Sequence, residues 1–433
     1  MADTFIITGG RPLFGEIKLA GAKNAVSKMM VATLLTDEPC ILENVPEIGE
    51  VGIITELLTT IGSEIEIVGS VAKIATPVIK RNRVPELTRR NRIPILALGP
   101  LLARAGEAEV PVLGGDKLGA RPVDIHLEAL AKLGARLEIT KGSYRAWAPQ
   151  GLHGAEVELR FPSVGATENV ILSAVLAKGK TVIRNAALEP EIVDLVKMLQ
   201  KMGAIIELAP PRTITIEGVA KLHGVHHRII PDRNEAVSFA CLAIATGGRI
   251  LVKDARQDDL ITFLNSVRRM GAEYEVADDG IAFFRPHAGA LRALQIETAV
   301  HPGFMTDWQQ PLVALLTQAE GRSTIHETIY EERFGYAEDL NRMGAKIAVA
   351  NECPFSGCRF AGKGYYHYAT IEGPTPLRSA KLAVRDLRSG MLDILAALIA
   401  DGVSEVSGIS EIDRGYEHID GRLRQLGAEI RRA

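Results

Sequence analysis

Residues 202–208 read MGAIIEL, and the same phrase returns five more times: IGSEIEI at 61–67, LGARLEI at 133–139, MGAEYEV at 270–276, MGAKIAV at 343–349 and LGAEIRR at 426–432. Each copy is an apolar residue, a glycine, a small residue and a mostly β-forming tail. The glycines, Gly62, Gly134, Gly203, Gly271, Gly344 and Gly427, recur about every 70 residues, as expected of one supersecondary unit used repeatedly. Before Gly203, residues 192–202 (IVDLVKMLQKM) place apolar side chains at helical spacing. The glycine falls where a helix exit favours a left-handed residue, and the tail reads as a strand. A second, more uniformly apolar helix precedes this one, as at 169–176, 235–245 and 311–317, and a strand follows it. Near-uniform apolarity implies burial on most sides. The predicted unit is a buried helix, a strand, an outer helix and a strand.

Six such units suit two α/β domains of three repeats each, with the apolar helices inside and the sheets outside. The hinge is expected near Pro231 and Asp232. A single N-terminal strand over 4–19 precedes the first unit and is positioned to close the last one. The predicted domains are therefore 22–231, and 1–21 joined to 232–433.

Bulk properties narrow the function. The 433 residues are 47% hydrophobic and 24% charged, the balance of a soluble globular protein. A formal net charge of -3 gives no electrostatic footprint for nucleic acid or an anionic membrane. No apolar run approaches the roughly 20 residues of a membrane helix, and MADTFIITGG lacks the basic start and apolar core of a signal peptide. Four cysteines do not make a disulfide framework, so a cytoplasmic location is expected.

The starts of the buried helices are unusual for core elements. They carry Lys23-Asn24, Arg92, the run 163–169 (SVGATEN), Asp232-Arg233-Asn234-Glu235, Thr306-Asp307 and Asp386-Leu387-Arg388. Helix N-termini offer unpaired N–H groups and partial positive charge. Asp, Ser and Thr at these positions are also ordinary caps. Capping does not explain Lys23, Arg92, Arg233 and Arg388 on otherwise apolar helices, and the four cations point to a cleft for a phosphate- or carboxylate-bearing substrate. The stretch 113–126 (LGGDKLGARPVDIH) is glycine-rich and rimmed with charge, as a lid over a polyanion would be. It lacks the spacing of a P-loop, so nucleotide hydrolysis is not implied.

At these residues the chain resembles the enolpyruvyl transferase family. GAKNA, ALGPLLAR, LGARPVDIH, PSVGATEN, EPEIVD, PDRNEA, PGFMTDWQQP and IDRGYE carry the resemblance, which spans almost the whole chain. It implies the EPSP synthase-like fold: two inside-out α/β barrel domains, each of three repeats around central helices. It also implies transfer of the enolpyruvyl group of phosphoenolpyruvate to the 3′-hydroxyl of UDP-N-acetylglucosamine, with release of phosphate and no cofactor. The resemblance puts Lys23, Asn24, Arg92, Arg121, Arg388 and Arg414 around phosphoenolpyruvate. It puts Asn24, Arg92, Arg121, Pro122, Val123, Asp124, Ile125, Ser163, Val164, Gly165, Asp307 and Ile329 around the UDP-sugar. Asp116, Asp307 and Lys23 are the implied catalytic residues, with Asp307 a candidate base at the attacking hydroxyl; capping the helix of MTDWQQP is its plainer role. Closure of the domains on the UDP-sugar, with the lid 113–121 folding over the cleft, is expected.

The chain departs from the family pattern in three places. The usual catalytic cysteine is Asp116, so proton delivery would fall to a carboxyl group and fosfomycin would lose its alkylation target. Holding an aspartate protonated at neutral pH requires a shift of about 3 units, or about 4 kcal/mol. Second, the segment 351–370 (NECPFSGCRFAGKGYYHYAT) reads as an insert. Its C-x₄-C pair and His367 supply three ligands at loose spacing, so no metal is expected and a solvated flap of free thiols is favoured. His223, His226 and His227 are likewise assigned to a polar interdomain loop. Third, Met305 and Ser389-Gly390 differ from the commonest family spelling. Another nucleotide or UDP-sugar acceptor, or a non-catalytic nucleotide-sugar sensor, are the alternative functions; the shikimate-acting branch fits the motifs less well.

Overall fold

The computed structural model describes residues 3–88, 92–112, 114, 123–286 and 289–433. Contacts gather the chain into two compact units, one running from Gly21 to Ile230 and the other joining the N-terminal stretch through Ala20 to Pro231–Ala433.

All six repeated glycines have positive φ, from 84° at Gly271 to 125° at Gly62. A Cβ is strained in that region, which is why glycine marks each helix exit. The outer helices are Gly49–Ile61, Asp124–Lys132, Pro190–Lys201, Gln257–Met270, Ala337–Arg342 and Ile419–Gln425. The inner helices are Lys23–Ala32, Leu98–Ala105, Val164–Ala174, Arg233–Ala245, Gln309–Leu316 and Leu387–Ile399. Every residue from Arg233 to Ile244 and from Leu387 to Leu398 is buried, so these helices are apolar all round because protein surrounds them. In the C-terminal unit, Gln309–Leu316 packs against both of these inner helices. In the N-terminal unit, Leu98–Ala105 packs on Val164–Ala174.

The repeat holds two more strands than the sequence reading assigned. In the third copy, Glu156–Glu158 lies parallel to Lys180–Arg184, the strand that follows the inner helix. The tail after Gly203, Ile205–Ala209, turns back through Thr213–Glu217, which pairs antiparallel with both that tail and Lys180–Arg184. Among the described residues, five sheets have this four-stranded order, and the second copy has three strands, with an isolated Arg83–Glu109 bridge in the fourth position. Three-residue strands paired across distant sequence leave little local pattern to read.

Two sequence expectations change here. The N-terminal stretch is two strands, not one. Thr4–Thr8 lies antiparallel between Val403–Ser407 and Glu429–Arg432 and completes the sixth copy. Phe14–Lys18 lies parallel to Arg249–Lys253 and completes the fourth. The histidine-rich segment is not a loop throughout: His226–Arg228 pairs parallel with Cys40–Glu43 and completes the first copy. Strand alternation sends His227 inward to Asp194 at 3.0 Å and leaves His226 outside against Glu43 at 2.7 Å.

Candidate active site

In the C-terminal unit the chemistry collects at the inner-helix starts. Asp307 sits in the 3₁₀ turn Thr306–Trp308 that leads into Gln309–Leu316. The N-cap position of that turn is Met305, and Asp307 lies in its first turn. Its Oδ1 accepts from Arg333 Nη2 at 2.7 Å, and its Oδ2 accepts from Arg388 Nε at 3.2 Å. Arg388 opens Leu387–Ile399 behind an Asp386–Ser389 capping box and donates Nη1–H to the Tyr416 hydroxyl at 3.1 Å. Burial alone would lower the Arg388 guanidinium, but Tyr416, Asp307 and Asp232 outweigh it and raise it. It is charged at any working pH.

Arg333 escaped the sequence reading. It lies in a stretch of acidic and turn-forming residues that looks like surface, yet it is buried. Besides Asp307 it donates to Thr306 Oγ1 at 2.7 Å. Thr306 in turn donates to the fully buried carboxylate of Glu327 at 2.8 Å, which also accepts from Gln309 Nε2 at 2.9 Å. The other Glu327 oxygen accepts from the backbone N–H groups of Ile329 and Tyr330. A buried carboxylate satisfied from three sides fixes both the Asp307 turn and the backbone at Ile329.

Other helix-start residues in this unit are structural. Asp232 caps Arg233–Ala245, accepting from the Asn234 N–H at 2.7 Å. Glu235 is buried in a bidentate pair with Arg422 at 2.7 and 2.9 Å. Arg233 is buried, with its guanidinium 5.5 Å from the Trp308 ring. Arg414 follows the short helix Ser410–Asp413 and pairs with Glu411 at 2.5 Å. Met305 is partly buried and packs on the unit's core.

In the N-terminal unit, Lys23 and Asn24 form the first turn of Lys23–Ala32. Arg92 precedes the 3₁₀ turn Ile93–Ala97. Ser163 caps Val164–Ala174, accepting from the Ala166 N–H at 3.4 Å, with Val164 and Gly165 in the first turn. Val123 precedes the outer helix, in whose first turn Asp124 and Ile125 lie; Asp124 pairs with Arg160. His126 joins these groups. A Cβ on Gly165 would lie 3.0 Å from His126 Cε1, so the glycine admits the ring. Burial first, and then the Arg92 charge, push His126 down to about 4 against Asp124, so the ring is neutral at pH 7. Its Nδ1 lies 3.3 Å from Asn169 Nδ2 and accepts from it in that arrangement. Asp116, Arg121 and Pro122, with most of the proposed lid, lie outside the described residues.

Glu168, within the SVGATEN run, is a further buried group. Burial pushes it up to about 7, opposed by Lys28 at 3.9 Å and reinforced by Glu191 and Glu189. The insert is also not a solvated flap throughout: His367 and Phe360 are buried, and His326 lies beside Cys353, Cys358 and His367, making four side chains of a kind that could hold a metal ion. It was missed because it lies on an earlier strand, Gly321–His326, outside the insert.

Among the described residues, no helix is long and apolar enough to cross a membrane. The model of the EPSP synthase (3-phosphoshikimate 1-carboxyvinyltransferase) family matches residues 7–423. The chain is 47% identical to a UDP-N-acetylglucosamine 1-carboxyvinyltransferase of Protochlamydia amoebophila, over 99% of this chain and 94% of that one. It is 42% identical to the protein of the same name from Gluconobacter oxydans, over 99% of each. The fold matches the enolpyruvyl transferase NikO from Streptomyces tendae with a TM-score of 0.86 at 24% identity, covering 100% of this chain and 99% of that one. EPSP synthase from Acinetobacter baumannii matches with 0.74 at 16% identity, covering 99% of each. The inside-out α/β repeat and the near-complete sequence match agree: the chain belongs to the EPSP synthase family of enolpyruvyl transferases.

Proposed function

We propose that the chain transfers the enolpyruvyl group of phosphoenolpyruvate to the 3′-hydroxyl of UDP-N-acetylglucosamine, the entry reaction of peptidoglycan synthesis. The observation that carries the reading is the near-full-length identity of 47% to a relative bearing that activity's name. A cytoplasmic location belongs to this reading and is supported by the lack, among the described residues, of a helix long and apolar enough to cross a membrane.

In the proposed mechanism a protonated Asp116 gives its proton to the methylene carbon of phosphoenolpyruvate. The adjacent carbon becomes electrophilic, and the sugar hydroxyl oxygen bonds to it, forming a tetrahedral phosphate ketal. The hydroxyl proton passes to Asp307. The C–O bond to phosphate then breaks as the methyl group returns a proton to Asp116, which restores the double bond; the proton held by Asp307 passes to the departing phosphate, freeing hydrogen phosphate and restoring the Asp307 carboxylate. Lys23, Arg92, Arg121, Arg388 and Arg414 would balance the phosphate and carboxylate charge.

The Asp307 geometry bears on its role. Two guanidinium groups hold its oxygens, which orients the carboxylate and occupies a lone pair on each oxygen in the resting site. It is therefore suited to accept the hydroxyl proton late, once carbon–oxygen bonding has made that proton acidic. Met305 serves the core, so its unusual identity gives no support to a different acceptor.

Phosphate release with phosphoenolpyruvate and a panel of acceptors tests the reading. Release is expected with UDP-N-acetylglucosamine; release only with another acceptor would replace the assigned substrate, and none with any acceptor would favour the sensor.

A further inference from the structure

The cluster in the insert carries an inference independent of the acceptor. His326 ends Gly321–His326, and His367 lies just before Tyr368–Gly373, the strand paired with it. Cys353 and Cys358 sit on the connection between Lys346–Ala350 and Tyr368–Gly373. One ligand atom from each of the four lies within 4.8 Å of the others. A tetrahedral zinc site with bonds of about 2.0–2.3 Å sets its ligand atoms about 3.3–3.8 Å apart. His326 Nε2 and Cys358 Sγ are 3.3 Å apart.

The surroundings prepare these atoms to be ligands. His326 Nδ1 meets Glu297 Oε2 at 2.8 Å, and His367 Nδ1 meets the Tyr365 carbonyl at 2.7 Å. Both acceptors hold the proton on Nδ1 and leave Nε2 with its lone pair, the arrangement found behind metal-bound imidazoles. His367 Nε2 is buried and has no hydrogen-bond partner, an arrangement that is unfavourable unless a ligand takes the lone pair. Cys358 Sγ accepts from the Phe360 N–H at 3.4 Å, and Cys353 accepts a backbone hydrogen bond from Phe355. The two cysteines are not joined in a disulfide. Phe355 stacks on His326 at 4.6 Å, and buried Phe360 lies 5.7 Å from His367, covering the cluster with apolar rings. The connection itself has no helix or strand between 351 and 367.

We propose that His326, Cys353, Cys358 and His367 bind one zinc ion that fastens the 351–367 connection to the end of the paired strands Gly321–His326 and Tyr368–Gly373. Two thiolates and two imidazoles favour zinc over hard cations, and four protein ligands leave no position for substrate, so the ion is structural.

The test uses the untagged full-length chain, purified under reducing conditions without chelator. Elemental analysis is expected to find about one zinc per chain, falling at least tenfold in the Cys353→Ser/Cys358→Ser variant. Cobalt(II) exchanged into the wild-type protein is expected to give thiolate charge-transfer absorption and the visible bands of a tetrahedral site, a readout that does not depend on the variant folding. Wild-type protein whose thiols react as free, and which neither retains zinc nor takes up zinc or cobalt stoichiometrically, would overturn the proposal. So would a cobalt spectrum without thiolate absorption.

Discussion

Arg388 Nε lies 3.2 Å from Asp307 Oδ2, joining the start of the sixth inner helix to the start of the fifth. With Arg333 on the other oxygen at 2.7 Å, the carboxylate is held from both sides. The first prediction follows from this clamp. Asp307→Asn is expected to lower kcat by about 10²–10⁴ with a smaller change in KM, because it keeps the shape and loses the proton acceptor. Arg333→Lys is expected to lower kcat less and to alter the pH–rate profile, since lysine cannot keep both the Asp307 and the Thr306 contacts. An unchanged profile with reduced thermal stability alone would assign Arg333 to the fold.

Asp116 supports a second prediction. A carboxylate is a poor nucleophile toward an epoxide compared with a thiolate, so prolonged incubation with fosfomycin is expected to leave activity intact. Asp116→Cys is expected to become inactivated with time. A covalent adduct on the wild-type loop 113–121, seen by peptide mass spectrometry, would refute this.

Glu168 predicts a pH dependence of stability. Its folded-state value is about 7 against an ordinary 4.5, so between those values the folded chain binds the extra proton. Stability from this group is full below about pH 4.5 and is lost as pH rises through about 7, by about 3 kcal/mol in all. Glu168→Gln mimics the protonated form. It is expected to match wild type near pH 5 and exceed it at pH 8 in denaturant titrations; a variant weaker at both pH values would contradict the reading. His126 has the opposite sign: its contribution is present above about 6.5 and fades as pH falls toward about 4.

Gly390 gives a prediction about packing. A Cβ there would lie 2.6 Å from Ile412 Cγ1 and 2.8 Å from Val384 Cγ1. Gly390→Ala is expected to cost about 1–3 kcal/mol and to disturb the turn that carries Arg388, raising the KM for phosphoenolpyruvate. A variant as stable as wild type would show that this contact relaxes freely.

The sequence exposed what is local and repeated. Each glycine marks a helix exit because the backbone there needs a positive φ, and each apolar helix is legible because it is surrounded. The strands Glu156–Glu158 and His226–Arg228 were hidden, since three residues carry almost no period and their partners lie far away in sequence. The site divides the same way. Asp307 and Arg388 stood out as charges on apolar helices, whereas Arg333 looked like surface until tertiary packing enclosed it. His326 read as a strand residue, and only the sheet brings it to the two cysteines.

The most direct test of the assigned reaction is to run it in deuterated water with phosphoenolpyruvate and UDP-N-acetylglucosamine, then determine the mass and proton spectrum of the nucleotide product. The account predicts enolpyruvyl-UDP-N-acetylglucosamine with deuterium in its vinyl methylene, released together with one equivalent of phosphate. An unmodified UDP-sugar with no phosphate formed would contradict it.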